Sequence, residues 1–179
     1  MTDIEYRCLT GEAAAEVLNE EYVGLYQENY SEPPYLSGPL YSTDRYAERT
    51  GRQVKSPGFV LVSARSGPTL VGFSFGLTFE ADRWWGGETT PPPAEIANSR
   101  KFAVIELNVR RGYRRVGIGR RLLETLLAQQ DAPYATLLSD PQAPAYDMYR
   151  RWGWKVIGPV RPAPDARPYD ALVLELGCR

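Results

Sequence analysis

The chain has 179 residues and a mass of 20.1 kDa, enough for one domain with a sizeable core and short for two. Its 21 Lys plus Arg stand against 22 Asp plus Glu, and this balance argues against a general polyanion binder, so no nucleic-acid partner is expected. Histidine is absent, which removes every Ser-His or Cys-His nucleophile and every imidazole metal site.

The remaining exclusions follow from composition. No long uncharged apolar run is present, so neither a transmembrane helix nor a membrane partner is expected. The start, Met1-Thr2-Asp3-Ile4-Glu5, lacks the basic and apolar regions of a secretory signal, and a cytoplasmic location is expected. Cys8 and Cys178 stand near opposite ends, too few thiolates for a zinc site, and are expected to be two free thiols; no metal is expected.

Taken in chain order, Ile4–Leu9 reads as a strand and Gly11–Glu28 as one helix, with Ala14, Val17, Leu18, Tyr22 and Leu25 on one face. Tyr30–Pro39 is a proline-rich turn. Thr43–Val54 is a second helix with Thr43 as its expected cap. Phe59–Ala64 and Leu70–Phe79 form an antiparallel pair turning at Ser66-Gly67-Pro68. Glycine and proline at W-W-G-G-E-T-T-P-P-P predict a long loop over Asp82–Ser99. Phe102–Val109 is a strand and Gly117–Gln129 a helix whose apolar face carries Ile118, Leu122, Leu123, Leu126 and Leu127. Tyr134–Leu138 is a strand, Ala143–Trp152 a helix, and Trp154–Ile157 and Ala171–Leu176 the last strands. No linker or repeat divides the chain, so residues 1–179 are read as a single mixed α and β domain.

The sharpest chemical feature is Arg114-Arg115-Val116-Gly117-Ile118-Gly119-Arg120, between a strand and a helix. The first turn of a helix offers unpaired N–H groups and the positive end of its dipole. Gly117 and Gly119 let anion oxygens approach the backbone, and Arg114, Arg115 and Arg120 add charge. Neither G-x-x-x-x-G-K-[ST] nor a G-x-G-x-x-G with its acidic partner is present, so another phosphorylated ligand is expected. Gly72-Phe73-Ser74-Phe75-Gly76 matches a hydrolase nucleophile elbow, but lies in a strand of a chain without histidine. Its glycines are expected to mark a bulge or a close backbone contact. Glu106 sits in the apolar strand F-A-V-I-E-L-N-V, on the face of Phe102, Val104 and Asn108. A carboxylate there must be solvated, paired or functional.

R-R-V-G-I-G after a strand ending E-L-N-V resembles the acyl-CoA pyrophosphate loop of the GNAT acetyltransferase superfamily. Ala145 to Trp154 resembles that family's Ala-x-x-x-Tyr-x-x-x-Gly-aromatic segment. The resemblance implies the GNAT fold, a central, mostly antiparallel mixed sheet of about six to seven strands, splayed at its middle and flanked by helices. It implies an N-acetyltransferase that uses acetyl-CoA as cosubstrate, with transfer to an amine acceptor by direct attack in a ternary complex. Leu107 and Val109 would pair with the pantetheine arm, and the amides of Arg115, Val116, Gly117, Ile118, Gly119 and Arg120 would hold the pyrophosphate, beside Arg114. Where the family often has an asparagine contacting pantetheine, this chain has Gln142. Tyr149 would protonate the leaving thiolate; from its place in the strand Glu106 is the candidate to deprotonate the amine, with Asp82, Glu88 and Glu95 of the long loop as other candidates. Tyr30, Tyr35, Trp84, Trp85 and Glu88 would line the acceptor site, aromatic and acidic residues suiting a cationic amine. The acceptor is a small-molecule or peptide amine, and homodimerisation stays open. The alternative is a non-catalytic acyl-CoA-binding sensor or regulatory module.

Overall fold

A computed structural model describes residues 3–177. In chain order its elements are β1 (Ile4–Thr10), a 3₁₀ segment (Gly11–Leu18), α1 (Glu20–Tyr30), α2 (Thr43–Gln53), β2 (Val60–Ser66), β3 (Thr69–Phe79), β4 (Glu88–Thr89), α3 (Ala94–Ala97), β5 (Lys101–Val109), α4 (Ile118–Ala128), β6 (Tyr134–Ser139), α5 (Pro144–Arg151), β7 (Lys155–Arg161) and β8 (Tyr169–Glu175). The strands form one mostly antiparallel sheet in the order β1-β2-β3-β5-β6-β8-β7-β4, with helices flanking it. Eight strands replace the expected six to seven because β4, two residues long, lies inside the segment read as loop. Cys8 is an exposed free thiol, and the expectation for Cys178 lies outside the described residues.

The chain divides into two compact units. The first takes Met1–Leu77 and Val104–Gln130. Its β1 pairs with β2 from Ile4 opposite Ser66 to Thr10 opposite Val60. The hairpin of β2 and β3 turns at Gly67-Pro68, with Gly67 in the left-handed region. The expected single helix over Gly11–Glu28 is broken at Asn19, which is extended (φ -70°, ψ 153°). Its carbonyl accepts the amides of Tyr22 and Val23 and so starts α1. Ala14, Val17, Tyr22 and Leu25 are all buried, so the apolar stripe runs through the break and hid it. The cap of α2 is Ser42, whose hydroxyl accepts from the Arg45 amide at 3.3 Å, and Thr43 is the first helical residue.

The G-x-S-x-G segment is strand, as expected. A Cβ at Gly72 would lie 2.9 Å from Leu122 Cδ1 and 3.0 Å from the Asn108 carbonyl, so glycine lets α4 and β5 approach β3 closely. The register of β2 and β3 also shifts between Ala64 and Arg65, opposite this stretch. Ser74 is fully buried and donates to the Glu106 carbonyl at 2.7 Å, a structural use of its hydroxyl.

The second unit takes Thr78–Ala103 and Asp131–Arg179. Antiparallel β6, β8 and β7 carry it, with β4 paired to β7 at Glu88–Arg161 and Thr89–Val160. The first three residues of β5 pair in parallel with Tyr134, Ala135 and Thr136 of β6, and the ladder ends there. The expected loop over Asp82–Ser99 is more ordered than its composition implies. It contains β4 and the turn of α3, and a Cβ at Gly87 would lie 2.1 Å from the Arg161 carbonyl. Lys101 is fully buried, and its ammonium donates to the carbonyls of Ile96 (3.0 Å), Ala97 (3.1 Å) and Ser99 (2.7 Å). These carbonyls lie at and just past the end of α3; Ile96 and Ala97 also accept the Ser99 and Asp82 amides, and the lysine adds a charged donor to each.

Candidate active site

Strand alternation sets the first unit's site. Along β5, Val104, Glu106 and Asn108 are buried, while Ile105, Leu107 and Val109 are half-buried. Glu106 is thus turned to the α1 and α2 side, as its register predicts. Its Oε2 accepts two hydrogen bonds, from the Tyr30 hydroxyl at 2.7 Å and from Asn108 Nδ2 at 3.1 Å. Among the described residues no donor reaches Oε1. Burial pushes the Glu106 carboxyl above its ordinary range, and the Arg49 guanidinium, the Tyr30 hydroxyl and the Asn108 amide pull it only part of the way back. The Tyr30 phenol is held well above its usual range, first by burial and then by the negative charge of Glu106.

A group of tyrosines surrounds this pair. The Tyr30 ring stacks on Tyr41 at 4.4 Å and meets Tyr35 edge-on at 4.8 Å. Tyr26 lies 4.5 Å from Tyr30 and 4.3 Å from Tyr46. Arg49 of α2 donates to the Tyr26 hydroxyl at 3.1 Å. Sequence reasoning named Tyr30 and Tyr35 and missed Arg49 and Tyr26. Both lie on helical faces that the hydrophobic period reads as ordinary packing.

The anion loop is held by α1. Arg114 donates through both Nη atoms to Glu32 (2.8 and 3.0 Å), through Nη2 to Asn29 Oδ1 (2.5 Å) and through Nε to the Val109 carbonyl (2.9 Å). Arg110 pairs with Glu28 at 2.8 Å, and the Arg111 amide donates to the same carboxylate. The Arg114 guanidinium therefore faces α1. Arg115 (φ 66°) and Gly117 (φ 89°) are left-handed, and α4 starts at Ile118 with no side chain capping it. This leaves the first-turn amides, Ile118 and Gly119 among them, without upstream carbonyls. Val116 is 72% exposed, and Arg120 pairs with Glu124 on the outer face. A Cβ at Gly117 would meet nothing within 4 Å, so glycine is needed there for its φ and not for room.

In the second unit Tyr149 is buried on α5, with its ring edge-on to Trp152 (6.1 Å) and Trp154 (6.0 Å). Its neighbour Tyr146 donates to Asp170 at 2.7 Å, and burial together with that carboxylate pushes its phenol up to about 12. Gln142 is exposed; its amide N–H donates to Asp140 and its side-chain oxygen accepts from Arg167. The two loop tryptophans are pinned within their own unit. Trp84 Nε1 donates to the Thr90 carbonyl at 3.0 Å, and Trp85 packs on Phe79 and donates to Thr136 Oγ1 at 3.0 Å. Glu88 lies exposed in β4. The predicted residues thus fall into two sets, Glu106 with Tyr30, Tyr35 and the anion loop in the first unit, and Tyr149, Gln142, Trp84, Trp85 and Glu88 in the second.

Among the described residues no cluster of acidic or thiol side chains could hold a metal ion, and no helix is long and apolar enough to cross a membrane.

A model of the acetyltransferase (GNAT) family matches residues 16–154. The chain is similar in structure to a Thermoplasma acidophilum PaiA N-acetyltransferase in complex with coenzyme A, with TM-score 0.63, 16% identity, and 97% of this chain and 99% of that one covered. It is similar to an aminoglycoside 6'-acetyltransferase type Ii, with TM-score 0.61 and 20% identity over 97% of this chain and 99% of that one. A structure of the NatC complex bound to Gag peptide and CoA matches with TM-score 0.62 and 16% identity, over 98% and 99% of the two chains. No curated protein matches in sequence.

Proposed function

The chain belongs to the GNAT acetyltransferase family, and from that premise we propose that it moves an acetyl group from acetyl-CoA directly to an amine, within a ternary complex. The observation that carries this reading is Glu106, a buried carboxylate whose Oε2 is held by two donors and whose Oε1 meets none among the described residues. A pure acyl-CoA binder has no use for such a group, whereas an amine that arrives as ammonium must lose a proton before it attacks. Its raised proton affinity brings it closer to the working pH of a base.

The amine nitrogen attacks the thioester carbonyl and the carbon–sulfur bond breaks. The amine's proton goes to Glu106, and the departing thiolate takes a proton from Tyr149. The Leu107 N–H stabilises the carbonyl oxygen as it gains charge, and Leu107 and Val109 pair with the pantetheine arm. The end of the β5 ladder with β6 at Ala103 supports this pairing. The amides of Arg115–Arg120 hold the pyrophosphate, a role suited to the uncapped start of α4. Tyr30 and Tyr35 give the amine a polarisable wall. Small-molecule and peptide acceptors both accord with the relatives, one an aminoglycoside acetyltransferase and one a complex bound to a peptide.

Intact-mass analysis of a panel of amines mixed with acetyl-CoA, with free thiol read in parallel, tests the proposal. One acetyl added to an amine per thiol released is the expected result. Coenzyme A binding with no transfer to small amines or peptides would replace it by the sensor reading.

A further inference from the structure

Glu106 and Arg114 are joined by a continuous chain of hydrogen bonds through two asparagines. Arg114 Nη2 donates to Asn29 Oδ1 at 2.5 Å, Asn29 Nδ2 donates to Asn108 Oδ1 at 2.9 Å, and Asn108 Nδ2 donates to Glu106 Oε2 at 3.1 Å. Its polarity is not free. A guanidinium can only donate, so the Asn29 oxygen must face Arg114 and its NH₂ must face Asn108. That turns the Asn108 oxygen toward Asn29 and its NH₂ toward Glu106. Bidentate pairing with Glu32 fixes Arg114 itself.

We infer that Asn29 is a positioning residue whose carboxamide, polarised by Arg114, makes Asn108 a donor to Glu106 Oε2 and leaves Oε1 as the atom that takes the proton. This deepens the proposed function and rests on Glu106 being the base. The other groups acting on Glu106 within this unit are Tyr30 on α1, which donates to the same oxygen, and Arg49 and Tyr46 on α2, which couple to it through charge. Ser74 on β3 engages only its backbone carbonyl. Asn29 touches neither Glu106 nor the anion loop's amides, yet it sets which end of Asn108 the base sees.

The test is Asn29→Asp and Asn29→Ala, read by the pH dependence of kcat/KM for an amine that the wild-type chain acetylates. Coenzyme A affinity and thermal melting are measured on the same samples. An aspartate still accepts from Arg114 but cannot donate to Asn108. Asn108 then turns over, and its oxygen meets Glu106 Oε2 lone pair to lone pair. The acidic limb of the profile should move up by about one pH unit. Alanine removes the fixed donor without adding charge and favours the helix, so folding is kept and the limb moves the same way by less. Coenzyme A affinity should stay within about twofold in both, because Glu32 still holds Arg114. A shift in the aspartate variant alone would mean simple charge repulsion and would overturn the inference. So would two unshifted limbs beside a Glu106→Gln variant that has lost its limb, and in that case the base reading survives. If Glu106→Gln keeps the wild-type limb, the base reading falls and this inference with it.

Discussion

In the proposed role Glu106 has to satisfy two opposed demands, staying buried for the chemistry and staying ionisable. Because its folded proton affinity is raised, the charged form carries a cost that is absent below the unfolded pKa and grows as pH rises through the folded one. Glu106→Gln removes that cost, so its melting temperature at neutral pH should equal or exceed the wild type's. The difference should close on acidification. Its acetylation rate should lose the acidic limb, since an amide takes no proton at working pH. A melting temperature well below wild type with an unaltered limb would make Glu106 a structural residue. Tyr149→Phe should lower turnover about ten- to a thousandfold with acetyl-CoA affinity nearly unchanged, as for loss of a general acid. Steady-state rates beside equilibrium binding check this, and unchanged turnover where chemistry limits the rate removes Tyr149 from the mechanism. At this scale the sequence is informative about Glu106, because a lone carboxylate among Val104, Ile105 and Leu107 is costly on any fold. Its partner Tyr30 lies 76 residues from it, and Asn29 lies 79 from Asn108, through which it acts; no local pattern announces a contact at that range.

Elements with strong periodicity read well and those governed by backbone detail do not. The strand of β5 and the helix of α4 stand where alternation and the apolar stripe put them. The break at Asn19 escaped because a 3₁₀ segment followed by a helix buries nearly the same stripe as one helix. In the Gly87 and Pro91–Pro93 stretch, order comes from pairing with β7 and from the capped turn of α3, which composition cannot reveal. The loop before α4 was legible because its demand is conformational, Gly117 at φ 89° opening an uncapped helix. Gly117→Glu puts a β-carbon in the left-handed region and a negative charge at the helix start. It should abolish coenzyme A binding by calorimetry while the fold survives, the strain being on the order of 1–2 kcal/mol. Equal binding in the folded variant would move the anion site elsewhere.

For the molecule as a whole, the two units are not separable stretches of sequence. The boundary cuts β3 between Leu77 and Thr78 and β5 between Ala103 and Val104, so each unit is assembled from two distant pieces of chain. Loop closure of that kind must precede much of the packing. Composition spoke to this scale only through length, which favours one domain, and through charge. Coenzyme A should raise the melting temperature of the whole chain, because only the folded form presents the amides before α4 together with the free side of β5. At a hundredfold excess over Kd the stabilisation should be about 2.7 kcal/mol. Calorimetric scans at several coenzyme A concentrations check it, and a melting temperature independent of ligand would remove coenzyme A as a partner.

Of the 21 basic residues only three are lysines, at 55, 101 and 155. Arginine does not take an acetyl group from a thioester under ordinary conditions, and the Lys101 ammonium is sealed against three carbonyls. Burial lowers its proton affinity, yet the enclosure keeps any acyl donor from it until α3 comes away. In the proposed function the chain thus offers its own acetyl donor just two exposed lysine amines, Lys55 and Lys155. Acetylation found at Lys101 by peptide mass mapping would record how often α3 opens, a chemical clock for local unfolding written into the chain by the placement of a single lysine.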